Sequence, residues 1–234
     1  MNRHLPTKLG LSQSFPCNYL PNKQEQLLVI LEPNCYNDTG YEALLNLGFR
    51  RSGDQIYRPH CAPCFKCRAI RVLVNDFIPS RSQKRKIKKA QKHFTVKSSV
   101  VPKDEYYSLY EKYINERHND SSMFPANEEQ YKSFLLCSWL PITYIELYDD
   151  DKLIAIAVTD LLNNSLSAIY TFFDPEYENF SIGTVMVLEQ IKLANSLNKK
   201  FVYLGYQIDD CKKMNYKNQF KNHQILEFER WISI

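Results

Sequence analysis

Ile142-Thr-Tyr-Ile-Glu-Leu-Tyr148, Lys152-Leu-Ile-Ala-Ile-Ala-Val-Thr-Asp160 and Ser165-Leu-Ser-Ala-Ile-Tyr-Thr-Phe-Phe173 are three β-branched and aromatic runs in immediate succession. Their connectors, Asp149-Asp150-Asp151 and Asn163-Asn164, are tight-turn residues, so the runs read as an antiparallel meander. Asp174-Pro175 ends the third run. Residues 183–197 then place Thr184, Val187, Leu188, Ile191 and Ala194 on one face, which is the period of an amphipathic helix. Residues 201–204 return as a strand. A strand–helix–strand passage within one sheet is nearly always a right-handed parallel crossover. The sheet is therefore expected to be mixed, antiparallel at first and parallel at one pair. A helix over 209–220 and a strand over 225–232 complete the expected order.

Upstream, a Tyr-rich helix follows Pro102, with Tyr106, Tyr110, Tyr113 and Arg117 on one side, and a further helix is expected over 126–136. The first part of the chain reads as a strand over 26–31 and a helix capped by Asp38 and stopped at Gly48. A hairpin turn at Arg50-Arg-Ser-Gly-Asp-Gln55, a strand over 69–74 and a helix over 81–93 follow. Two halves, 1–101 and 102–234, are expected with no flexible linker between them.

The size and the 44% hydrophobic content allow a sizeable core. The formal charge of +4 is mild, so contact with nucleic acid must come from local clustering. Residues 1–10 carry no signal-like apolar stretch, and no apolar run reaches the ~18 residues of a membrane span. A cytoplasmic location is expected, where seven cysteines suit metal binding, reactivity or packing better than a disulfide framework.

Cys61-x2-Cys64-x2-Cys67, with Cys17 as a fourth thiolate, has the spacing of zinc and iron–sulfur sites. Loop cysteines that pack and bind nothing explain the same spacing, and both readings stand. Cys35, Cys137 and Cys211 read as isolated, packed thiols. Arg81, Lys84, Arg85, Lys88, Lys89 and Lys92 belong to a helix with no Asp or Glu from Phe77 to Lys103, which favours RNA phosphate contact over a merely solvated face. Tyr170, Asp174 and Tyr206 lie at the carboxyl ends of neighbouring strands, where open sheets bind ligands. His118, at a helix end, reads on its own as structural.

The strand order of the second half resembles the GCN5-related acetyltransferase fold. That resemblance implies a backbone cradle for pyrophosphate at Ser181-Ile-Gly-Thr184. A single glycine makes this a weak phosphate loop, so another substrate than acetyl-CoA is expected. The whole chain resembles the aminoacyl-tRNA–protein transferases, in their bacterial leucyl-transferring branch. The matching words are Pro16-Cys-Asn-Tyr-Leu-Pro21, Gly40-Tyr-Glu-Ala-Leu-Leu45, Gly48-Phe-Arg-Arg-Ser-Gly53 and Tyr57-Arg-Pro-His-Cys61. They continue through Cys67-Arg-Ala-Ile-Arg71, Pro79-Ser-Arg-Ser-Gln83, Arg117-His118, Tyr170-Thr-Phe-Phe-Asp-Pro175, Leu204-Gly-Tyr206 and Cys211-Lys-Lys-Met-Asn-Tyr-Lys217. Arginyl-transferring relatives carry a cysteine where this chain has Leu20, and the bacterial pattern has a glycine after Arg117-His118 that this chain lacks.

The resemblance implies an α+β fold, with a mixed-sheet acetyltransferase-like (GNAT) catalytic half and a smaller N-terminal α/β half. It also implies leucyl transfer from tRNA to the α-amine of proteins beginning with Asp or Glu. An aminoacyl ester is already activated, so direct attack needs chiefly orientation and no cofactor. Asp174, then Tyr170 and Tyr206, are the expected guides of the amine. Amides near Ser181 and Gly183 are expected to meet the oxyanion, and Arg117, His118, Lys213 or Lys217 the acidic side chain. An arginyl donor, or a metal-bearing RNA-binding protein without catalysis, are the alternatives.

Overall fold

The structure is a computed structural model, and it describes residues 8–234. The first elements are β1 (Leu9–Leu11), β2 (Phe15–Pro16), β3 (Gln24–Glu25), β4 (Leu27–Ile30), α1 (Asp38–Asn46), β5 (Arg50–Ser52), β6 (Gln55–Pro59), β7 (Arg68–Leu73), α2 (Arg81–Ala90) and β8 (Thr95–Ser99). The rest are α3 (Glu105–Arg117), α4 (Glu128–Leu135), β9 (Ile142–Asp149), β10 (Lys152–Leu161), β11 (Ser165–Phe173), α5 (Ile182–Ser196), β12 (Phe201–Gln207), β13 (His223–Glu227) and β14 (Arg230–Ser233).

One eight-stranded sheet runs β14-β13-β7-β12-β11-β10-β9-β8, and a smaller one runs β1-β4-β6-β5. The meander β9–β10–β11 is antiparallel, and β11 and β12, joined by α5, are the parallel pair. The mixed sheet and its crossover are therefore as the pattern implied. The expected boundary near residue 101 falls between β8 and α3, but β7 lies between β12 and β13, so both halves build one sheet.

Burial explains the sheet's centre. Leu153 to Asp160 of β10 are buried without interruption, and Tyr106, Tyr110, Tyr113 and Ile114 of α3 join that core. A side chain cannot be inserted at Gly53, the turn between β5 and β6. Its φ is +54°, and an added Cβ would stand 2.0 Å from the Ser133 carbonyl oxygen.

Several local expectations are corrected. The cap of α1 is Asn37, whose side chain accepts from the Gly40 amide, and Asp38 is the first helical residue. Residues 209–220 are turns and a short 3₁₀ segment at Asn215–Gln219 rather than a helix. The final strand is two, β13 and β14, folded back at Phe228 and Glu229, both with positive φ. The strand β8 had no counterpart in the sequence reading, since its pattern is mostly exposed. α2 begins with a capping box of Ser80 and Gln83 and ends at Ala90, so Lys92 and His93, expected on the helix, lie in the turn that follows it.

Candidate active site

The parallel pairing of β11 with β12 stops after three residue pairs, at Ser167 and Tyr203. Beyond it the strands part. β12 kinks at a bulge where Gly205, at φ +84°, breaks the register against β7. Ala168 to Thr171 of β11 are half-buried, whereas the residues on either side of them are buried. Solvent thus reaches the middle of a central strand.

Tyr170 lies in this stretch, and its hydroxyl is buried without a partner. Burial, then the neighbouring Tyr113 and Tyr110, push its phenol pKa well above the ordinary value. Gln207, fully buried, donates to Asp209 and leaves its Oε1 unpartnered. Glu25 of β3 also has a buried, unpartnered Oε2, and burial raises its pKa. Its charge is felt by Tyr19, Tyr57 and Cys67.

Arg50 fills the parting of the strands. Its Nη1 donates to Ser167 Oγ at 2.9 Å and its Nη2 to the Ala168 carbonyl. Lys217 is buried beside it, donating to the Tyr206 carbonyl at 2.6 Å. Burial and the Arg50 charge depress its ammonium to about 7. Arg51 turns the other way and pairs with Asp160 at 2.5 Å, both side chains fully buried.

Other expected residues lie elsewhere or are already engaged. Tyr206 donates its hydroxyl to the Gly48 carbonyl at 2.9 Å, which ties β12 to the end of α1 and leaves no free phenol. Asp174 is paired with Lys112 at 2.8 Å and Lys152 at 2.9 Å, and accepts from the Glu176 amide. Burial raises its pKa, but the two lysines outweigh that and hold it below the usual carboxylate range. A carboxylate so stabilised is a poor base. Arg117 pairs with Glu178 at 2.7 Å and Lys213 with Asp120 at 3.0 Å. His118 stands edge-on to Tyr113, with burial, Lys213 and Arg117 lowering its pKa. Arg117, His118 and Lys213 are thus neighbours, while Lys217 belongs with Arg50.

Ser181 starts α5 at φ +55° without a side-chain cap bond, and a Cβ at Gly183 would meet nothing within 4 Å. The start of α5 is therefore open, and no crowding requires a glycine there. α2 packs on α5, with Lys86 reaching Thr184 Oγ1 at 3.4 Å and Lys89 reaching the Asn179 carbonyl at 3.2 Å. Arg81, Lys84, Arg85, Lys88 and Lys92 are exposed, and among the described residues none has an acidic partner within salt-bridge distance.

The charges of Cys61, Cys17 and Cys64 all reach Cys67, whose thiol is pushed up to about 12 chiefly by burial. The donor set suits a soft metal. As placed the set does not close: among the described residues no three His, Cys, Asp or Glu side chains converge on one point fit for an ion. Cys61 instead exchanges contacts with the Gln26 backbone, so it fastens the loop to β3–β4. Clefts of about 330 and 590 Å³ lie away from this opening, one beside Glu42 and Phe201, the other beside Asn75 and His223. Neither contains the unpartnered groups described above, so the opening has the stronger chemistry.

The sequence reading names Lys217 as a partner for the acidic side chain, but it gives no site role to Arg50 or Glu25. Arg50 sits in a hairpin that reads as a turn, and its burial arises from strands more than 100 residues away.

Family models described as the N and C termini of arginine-tRNA-protein transferase match residues 15–85 and 105–227. The chain is 55% identical to an aspartate/glutamate leucyltransferase of Pseudoalteromonas atlantica, over 96% of both chains. It is 50% identical to one of Shewanella putrefaciens, over 97% of this chain and 95% of that one. A third, of Aeromonas hydrophila, is 47% identical over 100% and 98% respectively.

Proposed function

The chain belongs to the aminoacyl-tRNA–protein transferases, and we propose that it transfers leucine through the opening between β11 and β12. It is an aminoacyltransferase that takes leucine from leucyl-tRNA and joins it to the N-terminal amine of proteins beginning with Asp or Glu. The observation that carries donor and acceptor is the 55% identity over nearly the full length of a leucyltransferase. An arginyl donor has only the wording of the family models behind it.

The amine nitrogen attacks the ester carbonyl carbon, a C–N bond forms, and the C–O bond to the tRNA ribose breaks. One proton passes from the amine to the departing ribose oxygen. At a reference pKa near 8 the amine loses its proton at little cost. Proximity and orientation therefore supply most of the rate. Tyr170 Oη and the Glu25 carboxylate are the groups suited to guide that proton, since each has an oxygen without a partner. The Ser181 amide, expected at the oxyanion, already donates to the Glu178 carbonyl at 2.9 Å, whereas the Gly183 amide, in the open first turn of α5, is suited to that role. The stripe of α2 is suited to tRNA phosphates and leads to the start of α5. Cys17, Cys61, Cys64 and Cys67 have a structural part in this reading, and no step passes through a metal. A cytoplasmic location accords with it, as no helix among the described residues is long and apolar enough to cross a membrane.

The test is transfer of radiolabelled leucine or arginine from charged tRNA to peptides beginning with Asp, Glu or Ala. Leucine on the first two peptides is expected. Arginine transfer in its place, or no transfer at all, refutes the reading.

A further inference from the structure

Arg50 is a buried cation without an acid of its own, and so is the ammonium form of Lys217, which gives up its proton near neutrality for want of one. Arg50 binds two neutral acceptors, and Lys217 binds a carbonyl and the Met214 sulfur. The buried carboxylate within reach of Arg50, Asp160, is taken by Arg51 at 2.5 Å. Three buried cations thus share one buried carboxylate. Charge buried without a counter-charge is costly, and a fold keeps it where a ligand supplies the missing sign. We infer that Arg50 and Lys217 form the seat for the side-chain carboxylate of the acceptor's first residue. This rests on the transfer reading above and names the part of the site that reads the acceptor.

The backbone builds the seat. A Cβ on Gly205 would lie 3.6 Å from Arg50 Nε and 3.6 Å from Lys217 Nζ, so both cations face the same bare point of the bulge. Arg50 also touches Ala168, where the half-buried stretch of β11 begins. The seat therefore adjoins the opening in which the amine must meet the ester. An Asp or Glu carboxylate answers both cations. The amide of Asn or Gln is neutral and leaves the excess charge standing, which a buried site penalises strongly. Phosphate, the other candidate anion, is better served by the exposed lysines of α2. Arg50 keeps Nε and one N–H on each Nη, and Lys217 keeps one ammonium proton; Nε and that proton, both facing Gly205, match the two oxygens of one carboxylate.

Two measurements decide this. The first compares kcat/KM for peptides beginning with Asp and with Asn, using labelled leucyl-tRNA, in wild type, Lys217→Gln and Arg50→Gln. The preference for Asp is expected to fall about 30-fold in each variant, mainly through the peptide KM, as when one partner of a buried charge pair is removed. Arg50→Lys is expected to recover part of it. The second uses the unaltered protein, so that misfolding of a variant cannot obscure the answer. Succinate is expected to compete with the Asp peptide at concentrations where inorganic phosphate does not. An unchanged Asp preference in well-folded variants, or phosphate competing better than succinate, overturns the seat. Wild type that modifies no peptide overturns the transfer reading itself, and the seat with it.

Discussion

The cations of α2 and the cations at Gly205 are both unpaired, yet they differ in every other respect. Those of α2 are exposed, spread along one helix and the turn after it that holds Lys92, and exceed the acids of their segment. Arg50 and Lys217 are 6% and 7% exposed and meet over one glycine. Exposed charge acts at a distance, is screened by salt, and binds any phosphate that comes within reach. Buried charge is screened little and tolerates one geometry. The first arrangement suits affinity for a large polyanion, and the second suits choice between small acceptors. Arg51 with Asp160 shows the third condition, a buried cation supplied with its partner from within the fold.

That third condition predicts the largest effect. Asp160→Ala leaves Arg51 buried and unpaired, and thermal or urea unfolding is expected to show a loss of about 3–5 kcal/mol. A loss below ~1 kcal/mol would mean that buried cations are tolerated here without partners, and the contrast above would fail. Asp174→Asn is next, at about 1–2 kcal/mol, because Lys112 and Lys152 are partly exposed and their pairing is screened. The sign follows from its pKa, held below the ordinary value in the fold. This stabilisation is present above the unfolded carboxylate range and is lost as pH falls through the folded pKa. Wild type and Asp174→Asn should therefore converge in stability towards low pH, and a gap that widens there would contradict the ion pairing.

How much of this was legible follows the same division. The meander β9–β11, α5 and the parallel crossover were readable because their signals are local: apolar runs, Asp and Asn turns, a helical period. β8 was not, since an exposed edge strand of Thr, Val, Lys and Ser has no alternation to read. The β13–β14 hairpin was read as one strand because its turn residues, Phe228 and Glu229, take positive φ without a glycine to announce it. The stripe of α2 could be counted in sequence and lies exposed on its helix as a stripe should. Arg50 could not be singled out, because its burial depends on β11 and β12 closing around it. Asp174 and Tyr206 were drawn to the site by position at strand ends, and the fold engages both with other partners.

Smaller effects sharpen the contrast. Lys84→Gln, Lys88→Gln and Lys92→Gln combined should weaken leucyl-tRNA binding and reduce the slope of log affinity against log salt by about 2–3, while unfolding stays unchanged. Filter binding over a salt series measures it, and an unaltered slope would remove α2 from the tRNA surface. Lys88→Gln alone should reduce the slope by no more than about 1.

The most direct test uses the unaltered protein and separates the two cationic sites in one experiment. Transfer of labelled leucine to Asp and Asn peptides is measured as salt rises from about 50 to 200 mM. The KM for leucyl-tRNA is predicted to rise steeply, while the ratio of kcat/KM for Asp over Asn stays constant. A ratio that collapses along with tRNA affinity would place acceptor choice on exposed charge and contradict the buried seat.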